Sequence, residues 1–218
     1  MPSSSYRVIA IDGPAASGKS SVAQELARWL DFVYVNSGAM YRAVTWHVLQ
    51  LKIAPDDGEA IAQLVESAAI VCDLVNGESR ILIEGQDPSE FLRDDQVNQS
   101  VSLVSSVPKV REILVTKMRA YAEEQDVVME GRDIGSVVFP ETPYKFYIDA
   151  SPDVRLRRRA AQGQCDEIAA RDRADSSRRN SPLIIAEDAL VIDSSNLTIE
   201  GVVGEIIGRL KLKGLAIN

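Results

Sequence analysis

The sequence predicts an α/β protein: a parallel central sheet flanked by helices in three layers, with a small antiparallel insert. Three observations carry this. Short apolar runs rich in β-branched residues alternate with helical periodicities at the start of the chain, the pattern of strand–crossover–strand units. A central stretch breaks the alternation with two β-prone runs around an Asn-Gly pair, which is hairpin chemistry. Strand-then-helix texture then resumes to the end. With 218 residues, 45% of them hydrophobic and 26% charged, the chain can build one sizeable core and is too apolar for global disorder.

The elements follow in order. "RVIAID" (7–12) is a buried strand bounded by Gly13 and Pro14, and "SSVAQELARWL" carries Val22, Leu26 and Leu30 at helical spacing. "FVYV" (32–35) is a second strand, and a helix over 39–51 sets Met40, Val44, Val48 and Leu51 on one side. A helix near 57–69 precedes the hairpin, whose turn is Asn76-Gly77 within an insert over 70–95. Helical texture runs from 96 to 124. "VVMEGRD" (127–133), "YKFYIDAS" (144–151) and "ALVIDSSN" (189–196) read as further strands, and 198–213 as a closing helix. No internal repeat or low-complexity segment interrupts them.

Composition narrows the function. The formal net charge is −8, which argues against a general nucleic-acid binder, since that needs a dominating basic face. No apolar run is long enough to span a bilayer, and "MPSSSYR" reads as a tail rather than a signal peptide. Cys72 and Cys165 make neither a disulfide framework nor a metal-ligand spacing, and are expected to be reduced thiols in the cytoplasm. The single histidine, His47, excludes multi-histidine zinc chemistry. His47, Trp29, Trp46 and Cys72 are expected to pack in the core or at its boundary.

One motif carries a mechanism. Gly13, Gly18, Lys19 and Ser20 in "GPAASGKSS" (13–21) fit G-x-x-x-x-G-K-[ST]. Such a loop turns backbone N–H groups inward around phosphates, sends a lysine to the β and γ oxygens and offers a hydroxyl to Mg²⁺. It lies between a strand and an amphipathic helix, the context the motif requires, with the helix's positive end behind it. D-x-x-G and N-K-x-D elements of a GTP switch are absent, as is an L-S-G-G-Q-like string. Arginine is abundant instead: "RLRRR" (155–159) and "RDRADSSRR" (171–179) gather guanidinium groups in an acidic chain, as a site holding two phosphorylated molecules requires. In the second run Arg171, Asp175 and Arg178 share a face if the stretch is helical. Ser37 is the expected N-cap of the 39–51 helix, with Arg42 one turn in. Arg132 and Asp133 follow a strand's carboxyl end, where open α/β sheets bind ligands.

"IDGPAASGKSS", "NSGAMYR", "EGRDIGSVVFPE", "KFYIDAS", "RDRAD" and "LVIDSSNLTIEGVV" occur in the order seen in bacterial cytidylate kinases, and the whole chain resembles that family. The resemblance implies a phosphate-loop fold in a single domain over 1–218. Its core would comprise 6–55, 107–150 and 185–218, with an insert of about 56–106 for the nucleoside monophosphate and an Arg-rich lid of about 151–184. It implies transfer of the γ-phosphoryl group of ATP to CMP or dCMP with Mg²⁺. Gly13, Pro14, Ala15, Ala16, Ser17, Gly18, Lys19, Ser20 and Ser21 would cradle ATP, with Ser20 on the metal.

The same resemblance distributes the remaining residues. Arg42 and Arg132, joined by Arg178, would clamp the acceptor phosphate, and Arg155, Arg158 and Arg159 would close over the donor. Arg111, Asp133 and Ser102 would read cytosine; Arg171 and Asp175 would hold the sugar hydroxyls; Ser37 and Tyr41 complete the acceptor set. A monomer acting on small nucleotides is expected, with no nucleic acid or membrane partner. Asn36 departs from the family, which commonly has Asp there, and the lid run from Arg159 to Arg171 is shorter than in many relatives. The residues alone leave open another acceptor (UMP/CMP, dephospho-coenzyme A or shikimate type) and a non-enzymatic ATP-binding module.

Overall fold

Every residue of β1 (Val8–Asp12) and β5 (Val127–Gly131) is buried, as the uninterrupted apolar runs require of strands covered on both faces. The computed structural model describes residues 6–161, 168–178 and 181–216; Cys165 lies outside them. The chain divides into two compact units, Met1–Val35 with Arg119–Asn218, and Asn36–Met118.

In the first unit β1 pairs in parallel with β5 on one side and with β6 (Tyr144–Asp149) on the other, and β6 pairs in parallel with β7 (Leu190–Asp193). With β2 (Val33–Asn36) the order is β2-β5-β1-β6-β7. Ligands in such sheets bind beyond the carboxyl ends of the central strands, where the glycine loop after β1 and the "GRD" turn after β5 both emerge. The helix α1 (Lys19–Leu30) buries Val22, Ala23, Leu26 and Ala27. The helix α8 (Ile199–Leu212), capped by the Thr198 hydroxyl on the Gly201 N–H, buries Val202, Val203, Ile206 and Leu210. Both faces join Ile9, Ile11, Phe146, Ile148 and Ile192 in one core, where each large aliphatic contributes about 1.5–3 kcal/mol.

Trp29 departs from expectation. It is 50% exposed, because it projects about a quarter turn from the centre of α1's buried face. The helix stops two residues later, where Asp31 adopts φ 56 and the Phe32 N–H reaches back to the Ala27 carbonyl, a closure that short polar residues tolerate without glycine.

The second unit holds α2 (Ser37–Gln50), α3 (Gly58–Ser67), the antiparallel pair β3 (Ile70–Val75) and β4 (Glu78–Ile83), and α4 (Asp95–Val104). Asn76 and Gly77 are the two-residue turn, with φ 52 and 77, the paired positive values that the Asn-Gly pair supplies. The cap of α2 is Asn36, not Ser37: its side-chain oxygen accepts the Ala39 N–H at 2.9 Å and Ser37 is the first helical residue. Asparagine is as good a cap as serine, so the helix begins at the first residue able to do it. The helical stretch 96–124 is broken into α4 and α5 (Pro108–Glu124). Pro108 cannot continue a helix from the residue before it, but fits a first helical position. Trp46 is buried and stacks on Phe91 at 5.9 Å between centroids, His47 is half-buried, and Cys72 is half-buried and forms no disulfide among the described residues.

Arginine-rich sequence after β6 forms α6 (Pro152–Ala161), and α7 spans Ile168–Ser176. Helix α7 ends before Arg178, so Arg178 does not lie on the same helical face as Arg171 and Asp175. Lys145, on β6, is 5% exposed, and its ammonium is held by the Pro140 carbonyl at 2.6 Å and both Asp188 oxygens at 2.8 and 2.9 Å.

The Lys145 hydrogen bond holds the Asp188 carboxyl below its ordinary value of 3.8. Because the folded value is depressed, the contribution is present above that pH and disappears as pH falls through the folded value. Because Asp188 is mostly exposed and solvent screens its charge, Asp188→Asn is expected to lower stability by no more than about 1 kcal/mol at pH 7. Urea unfolding at pH 7 and pH 3 checks this: the difference between variant and native protein should shrink at the lower pH.

Candidate active site

The loop from Gly13 to Gly18 joins β1 to α1, and its shape depends on glycine at two points. Gly13 has φ 154, and a Cβ there would sit 2.1 Å from the Ile148 carbonyl oxygen of β6; Gly18 has φ 91 and caps α1. The carbonyl oxygens of this loop are taken by cations and a hydroxyl. Arg132 donates to Gly13 O, Lys19 to Pro14 O at 3.1 Å, Arg155 to Ala15 O at 3.2 Å and Arg158 to Ser17 O at 3.1 Å. Ser194, after β7, places its hydroxyl 2.8 Å from Ser17 O and is itself bonded by Arg158. No peptide bond is cis among the described residues, so a carbonyl held on one side sends the next N–H to the other. The N–H groups of Ala16 and Gly18 therefore point away from Arg155 and Arg158. Ala15 N–H is bonded at 3.0 Å to Asp172 of α7, which also pairs with Arg155.

At the start of α1 the Ser20 hydroxyl donates to Glu130 Oε1 at 2.7 Å, and Lys19 Nζ lies 4.0 Å from Glu130 Oε2. Glu130 is 3% exposed, on β5. The sequence reading assigned it no role. Its signal is a carboxylate inside a five-residue strand that is otherwise apolar or glycine, beside the strand that carries the phosphate loop. Ser17 Oγ and Arg155 Nε are buried with no hydrogen-bond partner among the described residues, and both border this loop.

Beyond β5, Arg132 and Asp133 enter a wide helical turn over Ile134–Val138. Arg132 Nε is 2.9 Å from Asp175, and Arg178 pairs with the same carboxylate. Asp175 is 2% exposed and stands between the two guanidinium groups. Arg178, although past the end of α7, is thus brought to the position its helical register was expected to give. Asp133 is 3% exposed. Asp12, which the sequence reading passed over, accepts the N–H groups of Ile134 and Gly135, each at 2.8 Å. Burial pushes its carboxyl up to about 7, against the pull of those N–H groups and of Lys19.

Arg171 lies on α7, with its side chain outside the described residues. In the second unit, the Arg111 guanidinium sits 5.2 Å from the Tyr41 ring centroid, and its Nη1 bonds Ser105 O at 3.3 Å. Arg111 is 5% exposed and Ser37 3%; Ser102 is half-buried on α4. Arg42 reaches Asn98 Oδ1 at 3.5 Å. The first unit thus assembles Lys19, Ser20, Arg132, Asp133, Arg155, Arg158, Asp175 and Arg178 around one end of its sheet, and the second brings Tyr41 and Arg111 together.

A family model described as cytidylate kinase matches residues 9–212. The cytidylate kinase of Caldanaerobacter subterraneus is 46% identical over 209 residues, covering 91% of this chain and 92% of its own. That of Desulforamulus reducens is 43% identical over 213 residues, covering 93% and 96%. That of Mycobacterium leprae is 41% identical over 222 residues, covering 96% and 98%. With a phosphate loop ringed by arginines and matches over nearly the full length, the chain belongs to the cytidylate kinase family.

Proposed function

We propose that the chain transfers the γ-phosphoryl group of ATP to CMP or dCMP, giving ADP and CDP or dCDP. One observation carries the reading: a cationic phosphate loop in a chain that matches cytidylate kinases over more than nine-tenths of its length. Phosphoryl transfer needs two anions brought together in line and charge stabilisation on the moving group, with little covalent work by the protein. The donor cradle fits ATP on structural grounds, because Ser17 Oγ and Arg155 Nε are buried donors with no bond made among the described residues, and such atoms are costly unless a ligand completes them.

Gly13 to Ser21 would hold the donor phosphates, with Lys19 on the β and γ oxygens. Ser20 and Glu130, one hard hydroxyl and one carboxylate 2.7 Å apart, fit a Mg²⁺ ion that keeps phosphate and water as its other ligands. Bound there, the ion would neutralise charge on the β and γ oxygens. Arg155 and Arg158 brace the loop from its carbonyl side and, with Arg159, belong to the lid assigned to about 151–184.

Arg132 and Arg178 would meet the acceptor phosphate. Asp175 keeps them in place while they wait: its two oxygens carry about four lone-pair sites, enough for both arginines and a sugar hydroxyl. Asp133 would accept the 4-amino group of cytosine, whereas uracil presents a carbonyl there and is repelled. The second unit would supply Arg42 to the acceptor phosphate, Arg111 and Ser102 to the base, and Ser37 and Tyr41 beside them. The Arg111 guanidinium lies over the Tyr41 ring, a cation–π contact, and Arg171 is assigned to the sugar. Among the described residues no helix is long and apolar enough to cross a membrane. A cytoplasmic monomer using free nucleotides, with no nucleic acid or membrane partner, completes the proposal; the net charge of −8 bears on the nucleic-acid part alone.

ADP release measured with CMP, dCMP, UMP, AMP and shikimate should be fastest with CMP and dCMP; preference for UMP would overturn the assignment of Asp133. Glu130→Gln should raise the Mg²⁺ concentration for half-maximal rate about tenfold, and an unchanged Mg²⁺ titration would remove Glu130 from the metal. Asp175→Ala removes the buried carboxylate shared by two half-buried guanidinium groups and should lower stability by about 3 kcal/mol, read as a shift of the urea midpoint.

A further inference from the structure

Beyond Gly131 the parallel ladder between β1 and β5 ends: Asp12 opposite Gly131 is its last rung. Asp133 then adopts φ −147, ψ 24, neither strand nor helix geometry, and the wide turn begins at the next residue. Within that turn the Val137 and Val138 N–H groups bond the Asp133 carbonyl, and Phe139 N–H bonds Ile134 O. The first N–H groups of a helical turn have no partner inside it. Here those of Ile134 and Gly135 both end on the Asp12 carboxylate, from a strand more than a hundred residues earlier in the chain, one N–H on each oxygen at 2.8 Å. Asp12 is 5% exposed and Ile134 is fully buried, so water does not offer a substitute.

The turn is packed closely on its other side. A Cβ on Gly135 would meet Asp12 Oδ2 at 3.4 Å, an ordinary contact, but would lie 3.1 Å from the Lys145 side chain. Arg132, one residue before Asp133, is tied to the same end of β1 through the Gly13 carbonyl. The main chain of Asp12 itself does not depend on its side chain, because strands on both sides pair with it, at Gly131 and Tyr147. Loss of the carboxylate therefore frees the turn after β5 and leaves the start of the phosphate loop in place.

We propose that Asp12 is a positioning residue for acceptor recognition: by holding the N–H groups of Ile134 and Gly135 it sets where Asp133 and Arg132 stand, and with them the choice of pyrimidine. The proposal rests on the reading of Asp133 as the residue that meets the base. Asp12 touches neither nucleotide and acts through the turn. Burial that raises its carboxyl to about 7 is the cost of placing it there, and the two N–H groups are what that placement secures.

Asp12→Asn keeps the size but turns an amide N–H toward one of the two backbone N–H groups. Steady-state kinetics of Asp12→Asn and Gly135→Ala, the second shifting the turn against the Lys145 side chain with the carboxylate intact, test the proposal. For both variants kcat/KM for CMP should fall tenfold or more, KM for ATP should stay within twofold, and the CMP-over-UMP ratio should drop. A general weakening of the fold would move ATP and CMP parameters together, and that result, or a CMP ratio within twofold of the native enzyme, overturns it. If Asp12→Asn does not fold, Gly135→Ala decides alone. A native enzyme without preference for CMP over UMP would sink the role of Asp133, and Asp12 is then judged on the split between acceptor and ATP parameters for whichever monophosphate the native enzyme uses.

Discussion

Charged groups buried at the carboxyl ends of β1 and β5 have to be neutralised by one another, and the geometry of the first unit follows from how that is done. Asp12, Lys19, Glu130, Asp133 and Asp175 are each no more than 9% exposed. An ion held so far from water costs several kcal/mol unless partners surround it. Asp175 is answered by Arg132 and Arg178, Glu130 by Ser20 and by Lys19 nearby, and Asp12 by two backbone N–H groups. Most of these pairings join segments distant in the sequence; only Asp175–Arg178, three residues apart, is local. Neutralisation and assembly of the site are the same event.

The pairing also explains why the arginines approach the phosphate loop from its oxygen side. Arg132, Arg155 and Arg158 end on the carbonyls of Gly13, Ala15 and Ser17. A trans peptide held by its oxygen has its next N–H turned the other way. Arg155 and Arg158 therefore orient the N–H groups of Ala16 and Gly18 before any anion arrives, whereas Gly13 is followed by Pro14, which has no N–H. Preorganisation of that kind is where electrostatic catalysis derives its strength, since no dipole has to rotate during the reaction. The hydrophobic core beneath, from Ile9 to Ile206, makes this possible by fixing the strand ends. Close-packed interiors transmit small displacements instead of absorbing them.

The second unit solves a different problem with weaker means. Its hairpin carries a half-exposed Asp73–Arg80 pair at 2.5 Å, of the solvent-screened kind that contributes little, and its helices α2 and α3 are held by Asn and Asp caps. The specific element is Arg111 over the Tyr41 ring. Stacking orients a planar guanidinium while leaving its edge donors for hydrogen bonds, which suits a residue that must present a fixed fork to a base.

Much of the fold could be read without coordinates, because it is encoded locally. The run "RVIAID", the Asn76-Gly77 turn and the glycines at 13 and 18 each carry their own conformational reason within a few residues, and the ordered motifs named the family. Local signals also misled at the margins: Asn36 took the cap expected of Ser37, and Trp29 faced outward on the last turn of α1. What the residues did not disclose is who meets whom across long separations. Ser20 reaches Glu130, Asp12 reaches Ile134, Ala15 meets Asp172, and Arg132 reaches Asp175. Sequence alone determined the element types, the phosphate loop and the class of chemistry, since periodicity and turn preferences act over a few residues. Only the tertiary structure decided the roles of Asp12, Glu130 and Ser194, because a buried polar group's partner is chosen by which chain segments the sheet brings together.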